Sequence, residues 1–352
     1  MLQELLRRSS WPIGQDKHLS SRVLLARKAA AVAMLDRESA LVALDSFLQQ
    51  IKAWLHKHPD KFNPIVSSLA LLSVAHLSTR AAALTKGAAP NPDVSVVAAL
   101  MMHKTLSRIE EATRHAVSII FWACARLEIR PDDMQAGAED ALGQRFIESF
   151  ASDKLQGVTN VLWACGILGL NPCHGALLRH IVETMKQTLA TDFDSAANMQ
   201  SLSVAMCAFA YLRLHIEPAL AELIITRFYQ GLVQGVDEPQ GVSNVLWACA
   251  SLGYLPPPHM LQCFKASYAK SKTPFLVQHD TTVAWSLAVL GVLDMGYFEK
   301  IILRIPQQLL LASTLRQLYQ ALQVLRPSEE HSPAYAKWAE VRACNQSLHR
   351  YD

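Results

Sequence analysis

Gln156, Thr159 and Asn160 stand seven, four and three residues ahead of Trp163, and Gln240, Ser243 and Asn244 stand at the same distances ahead of Trp247. The series recurs as Gln200 and Ser203 ahead of Cys207, and as Gln278, Thr281 and Thr282 ahead of Trp285. Amides and hydroxyls both donate and accept hydrogen bonds, which suits the edges of unpaired nucleobases. Residues three, four and seven apart are neighbours on a helix, so these groups are expected to share a face as a polar strip leading to the anchor residue. Each also has a plainer structural reading. Gln156 follows Asp153, and Gln240 follows Asp237, at the spacing of a capping box. A Ser or Thr in mid-helix can bond the carbonyl one turn back. Asn160 and Asn244, each beside a Trp, suit a hydrogen bond between repeats as well as contact with a base. The tryptophans can stack on bases, but their apolar flanks in "NVLWAC" place them in the core.

Contacts to phosphate need cations, and the candidates are Lys104, Arg108, Arg179, Lys186, Arg227, Lys265 and Lys270. They serve that purpose only if they cluster on one surface. The chain has no glycine-rich phosphate loop, no Gly-x-Ser-x-Gly and no His-Glu-x-x-His, so no catalytic residue, metal site or cofactor is expected. Asp132, Asp133, Glu139 and Asp140 have carboxylates at a spacing that a metal would accept, yet acids at a helix start also complement the macrodipole. The seven cysteines are odd in number, include no Cys-x-x-Cys pair and sit mostly inside apolar runs. They read as buried thiols in a reducing compartment.

The elements that must position these groups follow from an internal repeat. "NVLWAC" occurs at Asn160 to Cys165 and again at Asn244 to Cys249, with Leu-Gly and Pro trailing both times. The same context surrounds Trp122 in "FWACARLEIRP" and Trp285 in "AWSLAVLG", and more loosely Leu72, Cys207 and Gln320. Seven anchors about 40 residues apart imply one supersecondary unit per repeat. Apolar residues spaced by three and four mark an amphipathic helix A ahead of each anchor helix B, as in Ala40 to Lys57 and Ala219 to Val233. The proline behind each B helix is expected to stop it.

Composition agrees with a large helical core. Of 352 residues, 51% are hydrophobic and 18% charged, and 14 Gly and 16 Pro are few. A net charge of +3 permits nucleic-acid binding without requiring it. No segment is expected to span a membrane. The first 36 residues carry Arg7, Arg8, Lys17, Arg22, Arg27 and Lys28 against Glu4, Asp16 and Asp36, and read either as a transit-like segment or as a capping helix.

"GVSNVLWACASLGYLPPPHML" resembles the repeat of the octotricopeptide family, helical hairpins with an Asn-x-Leu-Trp-Ala-x-Ala-x-Leu-Gly core followed by prolines. The match is close at Asn160 to Pro172 and Asn244 to Pro258, good at Phe121 to Pro131 and Thr281 to Gly291, and loose elsewhere. The resemblance implies an all-α fold, a right-handed α-solenoid of stacked hairpins over residues 37–327, between the basic segment 1–36 and a C-terminal helix or tail 328–352. That tail is too short for the RAP domain some members carry. The resemblance further implies an RNA-binding protein of a chloroplast or mitochondrion that acts in RNA stability, processing, splicing or translation. Its expected partners are single-stranded or ribosomal RNA. The competing expectation is a protein-docking or ribosome-associated architectural solenoid, whose partners are other organellar gene-expression or ribosomal proteins.

Overall fold

A computed structural model describes residues 19–33, 37–85, 89, 91–149, 155–191, 194–213, 216–271, 277–305 and 312–325. Residues 1–18 and the C-terminal segment 328–352 lie outside the described residues. Among the described residues the fold is all-α, with sixteen α-helices and no strand. They are α1 (Leu19–Ala33), α2 (Arg37–Lys57), α3 (Pro64–Thr85), α4 (Pro92–Leu106), α5 (Arg114–Leu127), α6 (Pro131–Met134), α7 (Ala138–Glu148) and α8 (Leu155–Leu168). Then follow α9 (Ala176–Ala190), α10 (Met199–Leu212), α11 (Pro218–Val233), α12 (Pro239–Leu252), α13 (Pro258–Lys270), α14 (Val277–Val289), α15 (Met295–Arg304) and α16 (Ala312–Leu325).

The chain divides into two compact units, residues 1–187 and 188–352. In the first, α1, α3, α5 and α8 pack each on the next, while α2 and α4 pack on α3 and on each other, and α7 packs on α5. In the second, α10, α12, α14 and α16 form the same kind of series, flanked by α11, α13 and α15. The seven anchors all fall on helices of these two series, in α3, α5, α8, α10, α12, α14 and α16, and each of those helices begins eight residues before its anchor. The described part of the basic N-terminal segment is the helix α1, packed on α2 and α3.

The prolines do not stop the B helices. In five of them the stop lies six residues after the anchor, where Glu128, Gly169, Arg213, Gly253 and Gly291 all adopt positive φ between 49° and 69°. This left-handed residue turns the chain so that the next N–H reaches back to the helix's open carbonyls. Ile129 N–H bonds Cys124 O, Leu170 N–H bonds Cys165 O, Tyr254 N–H bonds Cys249 O and Val292 N–H bonds Leu287 O, at 2.9 to 3.1 Å. The glycine of each "Leu-Gly" supplies that conformation without a Cβ penalty, and Glu128 and Arg213 adopt it in spite of theirs. The prolines instead open helices. Pro131 begins α6 and Pro258 begins α13, where a missing N–H costs nothing and the fixed φ is already helical.

Helix α3 has 22 residues and is long and apolar enough to cross a membrane by length and composition. Its apolar sides are taken up by α1, α2, α4 and α5, and Val66, Ala70, Leu71, Val74 and Leu77 are buried. A core helix with neighbours on several sides must be apolar nearly all round.

Candidate functional site

Each B helix leaves one stripe uncovered. In α8 it runs through Gln156, Asn160, Trp163 and Ile167; in α12 through Gln240, Asn244, Trp247 and Ser251; in α14 through Gln278, Thr282, Trp285 and Val289. These are offsets −7, −3, 0 and +4 from the anchor, the ends exposed and the middle two partly exposed. In α5 the stripe is His115, Trp122 and Arg126, and in α10 it is Gln200, Val204 and Tyr211, with Ile119 and Cys207 in each case 8% exposed. The tryptophans expected in the core therefore line a surface. They reach it at the edge of the seam between B helices, where Trp122 and Trp247 meet a ring of the preceding B helix and stay partly exposed.

Four of the candidate base-contacting residues are corrected. Thr159, Ser203, Ser243 and Thr281, at offset −4, are between 0 and 2% exposed. Thr159, Ser203 and Thr281 donate to the carbonyls of Gln156, Gln200 and Gln278 at 2.9 to 3.2 Å, as Ser68 and Ser118 do to Ile65 and His115 at 2.8 Å. Ser243 donates to His279 O of the next B helix at 3.5 Å, and Thr281 also meets Gln317 Oε1 of the next at 2.9 Å. Small hydroxyls at −4 thus satisfy themselves inside the seam between B helices and let those helices approach.

The amides behave differently. Gln156, Gln200, Gln240 and Gln278 are exposed at the second residue of their helices, and none of their side chains makes a hydrogen bond among the described residues. At Gln240 the capping-box return to a backbone N–H is therefore not formed; Asp153, the partner expected for Gln156, lies outside the described residues. Asn160 and Asn244 likewise make no side-chain hydrogen bond among the described residues; Asn244 gives only its backbone carbonyl to Cys207 Sγ at 3.6 Å. Thr282 is partly exposed beside Trp285. Seven of the candidates are thus brought onto the open stripe with their polar groups free.

The residues at +4 were not singled out from the sequence, and they complete the stripe. The His76 ring lies 4.9 Å from Trp122 and the Tyr211 ring 5.0 Å from Trp247, both tilted by 43°. In each pair a +4 residue of one B helix meets the anchor of the next. The signal was available in the repeat register, since His76 and Tyr211 both stand four residues beyond an anchor.

The candidate phosphate contacts lie on the A helices, except Arg108 in the turn after α4, and are spread among different roles. Arg108 is held by Glu111 at 2.6 and 2.7 Å, which raises its pKa, and it also bonds Asp60 O. Arg227 bonds the carbonyls of Leu189 and Thr191 and the amide of Gln230, so it ties α11 to the segment before α10. Lys265 bonds Asp294 at 2.6 Å and holds that carboxyl below its usual range. Arg179 and Lys270 are exposed, and Lys104 and Lys186 partly so. They do not gather on the anchor stripe.

The acidic cluster is occupied by the fold. Glu139 pairs with Arg130 at 3.0 Å, Asp132 accepts from Glu139 N–H at 2.7 Å, and Asp140 accepts from Cys173 N–H. No three His, Cys, Asp or Glu side chains converge as a metal site among the described residues. Burial pushes the thiols of Cys124, Cys165, Cys207 and Cys249 up to about 12. A thiolate is the reactive form, so these four should resist a disulfide reagent at pH 8 in the folded protein and react once it is unfolded in denaturant. Fast reaction of any of the four in native buffer, located by mass spectrometry, contradicts this packing.

No protein-family profile matches the chain, and no curated protein is significantly similar to it.

Proposed function

We propose that the chain is a right-handed α-solenoid of about seven helical hairpins that binds single-stranded RNA, acting in RNA stability, processing, splicing or translation in a chloroplast or mitochondrion. The observation that carries this reading is the recurrence, at one register, of a free Gln amide, a free Asn or Thr and a partly exposed Trp on α8, α12 and α14, with the Gln alone kept on α10. An amide reads donor and acceptor patterns on a base edge, and an indole stacks on any base face. The family resemblance points the same way.

Binding of fluorescent single strands, selected from a random pool, tests it. Gln240→Ala and Asn244→Ala should each weaken the selected strand by roughly two- to tenfold, the worth of about 0.5–1.5 kcal/mol per hydrogen bond. Ser243→Ala, inside the seam, should leave affinity unchanged. If no strand is enriched, or if the stripe variants bind like the parent, the reading fails.

A protein-docking solenoid is the second reading. Ile167, Tyr211, Val289 and Val324 are exposed apolar residues at the +4 position, with Tyr211 at 48% and Val289 at 50%. Stoichiometric ribosomal proteins that stay bound after nuclease treatment favour it.

A further inference from the structure

We propose that the aromatic pair His76–Trp122, with Arg126 and Arg27, forms a nucleotide-binding site in which a base stacks on the pair and its phosphate is held by the two guanidinium groups. The proposal rests on the single-strand reading and adds the place where the strand's charge is met.

The two aromatic pairs are built alike, with almost equal separation and the same tilt, but they differ in charge. Beside Trp122, one turn on, stands Arg126, whose guanidinium carbon is 5.8 Å from the indole centroid. The position one turn beyond Trp247 is Ser251. His76 is exposed on α3, and the charges acting on its ring, after burial, are those of Arg27 on α1 and Arg126 on α5. All three effects lower its pKa and favour the neutral imidazole; Arg27 stands on α1, which packs on α3, and Arg126 beside the Trp122 ring that His76 meets. Arg80 stands one turn beyond His76 and is exposed. Arg27, Arg80 and Arg126 make no ion pair or hydrogen bond among the described residues, whereas Arg108, Arg130, Lys52, Lys265 and Arg304 are paired.

Like charges held together without a counter-ion are unfavourable unless something negative visits them. A flat face beside them restricts that visitor. An aromatic heterocycle carrying phosphate satisfies both, by stacking and cation–π contact at the ring and charge-assisted hydrogen bonds at the phosphate. A sulfate or a plain polyanion would use the cations alone.

The test measures anisotropy of labelled 12-nucleotide single strands with the full chain over a range of salt concentrations, for the parent and for Arg126→Gln, Arg27→Gln, Trp122→Leu and Trp247→Leu. The two Arg changes together should flatten the log–log salt dependence by about 0.7, the value for one phosphate of a single strand, and each alone by part of that. Trp122→Leu should weaken binding by roughly five- to 150-fold, and Trp247→Leu should leave the salt dependence unchanged. Arg126 is exposed, so its variant keeps the test decisive if Trp122→Leu does not fold. If the parent binds and the Arg variants keep its salt dependence, the site is overturned while the RNA reading stands. If heparin competes as well from Trp122→Leu as from the parent and the strand affinity is unchanged, a bare polyanion surface replaces the nucleotide site. If the parent binds no strand even at low salt, both ideas fall.

Discussion

Replacing Asp280 by alanine should lower the stability of the second unit by about 3–5 kcal/mol, the usual result of removing one partner from a buried charge pair. Asp280 on α14 is 2% exposed. Its Oδ1 accepts from the Tyr268 hydroxyl of α13 at 3.0 Å and lies 3.5 Å from an Arg304 nitrogen of α15. The Arg304 guanidinium in turn sits 5.6 Å from the Tyr268 ring centroid. Three consecutive helices therefore meet at one carboxylate, and alanine strands a buried phenol. The pH dependence has a definite sign. Burial raises the Asp280 pKa, outweighing the opposing effects of Arg304 and Tyr268. A carboxyl with a raised folded pKa binds more protons folded than unfolded, so its contribution is fully present below the unfolded value and declines as pH rises through the folded one. Urea midpoints of the parent should therefore fall relative to Asp280→Asn as pH rises through the acid range. A parent that gains on the asparagine variant over that range refutes the assignment.

Phe228→Ala should cost a similar amount, about 3–5 kcal/mol, through the cavity it leaves. Phe228 on α11 is fully buried and meets Phe264 of α13 edge to face, with ring centroids 5.8 Å apart. This contact joins successive A helices of the second unit. Gly241 of α12 approaches the same ring so closely that a Cβ there would stand 3.2 Å from it and 2.7 Å from Glu238 Cγ. Little room is therefore available for the neighbours to collapse into the hole. Thermal and urea unfolding should show the loss, and amide exchange should place it in residues 188–352. A loss below about 1 kcal/mol would mean that the site relaxes, as overpacked or loosely packed sites do.

The repeat was legible in the sequence because its best copies retain Trp, Cys and Leu-Gly, and a period of about 40 survives even in the copies that lose them. Helix type and anchor register followed directly. The assignment of Thr159, Ser203, Ser243 and Thr281 to the open face did not hold, and the cause is angular. Each residue turns the helix by about 100°, so −4 and −3 lie a quarter-turn apart on opposite sides of the anchor. Placing both on one face ignores that difference, and the neighbouring B helix takes the −4 side. The tryptophans were misplaced for a related reason. Apolar flanks in sequence say that a helix is buried on most sides, but not which residue is left at the gap. The pairing of Arg108 with Glu111 was within reach at i,i+3 spacing. That of Lys265 with Asp294 was not, since it joins separate helices.

The left-handed residue six positions after five of the anchors has a consequence for how such a chain varies. Helices α5, α8, α10 and α12 each have 14 residues and start and stop at fixed distances from the anchor. The A elements range from the 21 residues of α2 to the 10 of α15, with one broken into α6 and α7. Apart from the 22-residue α3, the differences in length fall mostly on the A elements, so within each unit these B helices keep one length while the material between them varies.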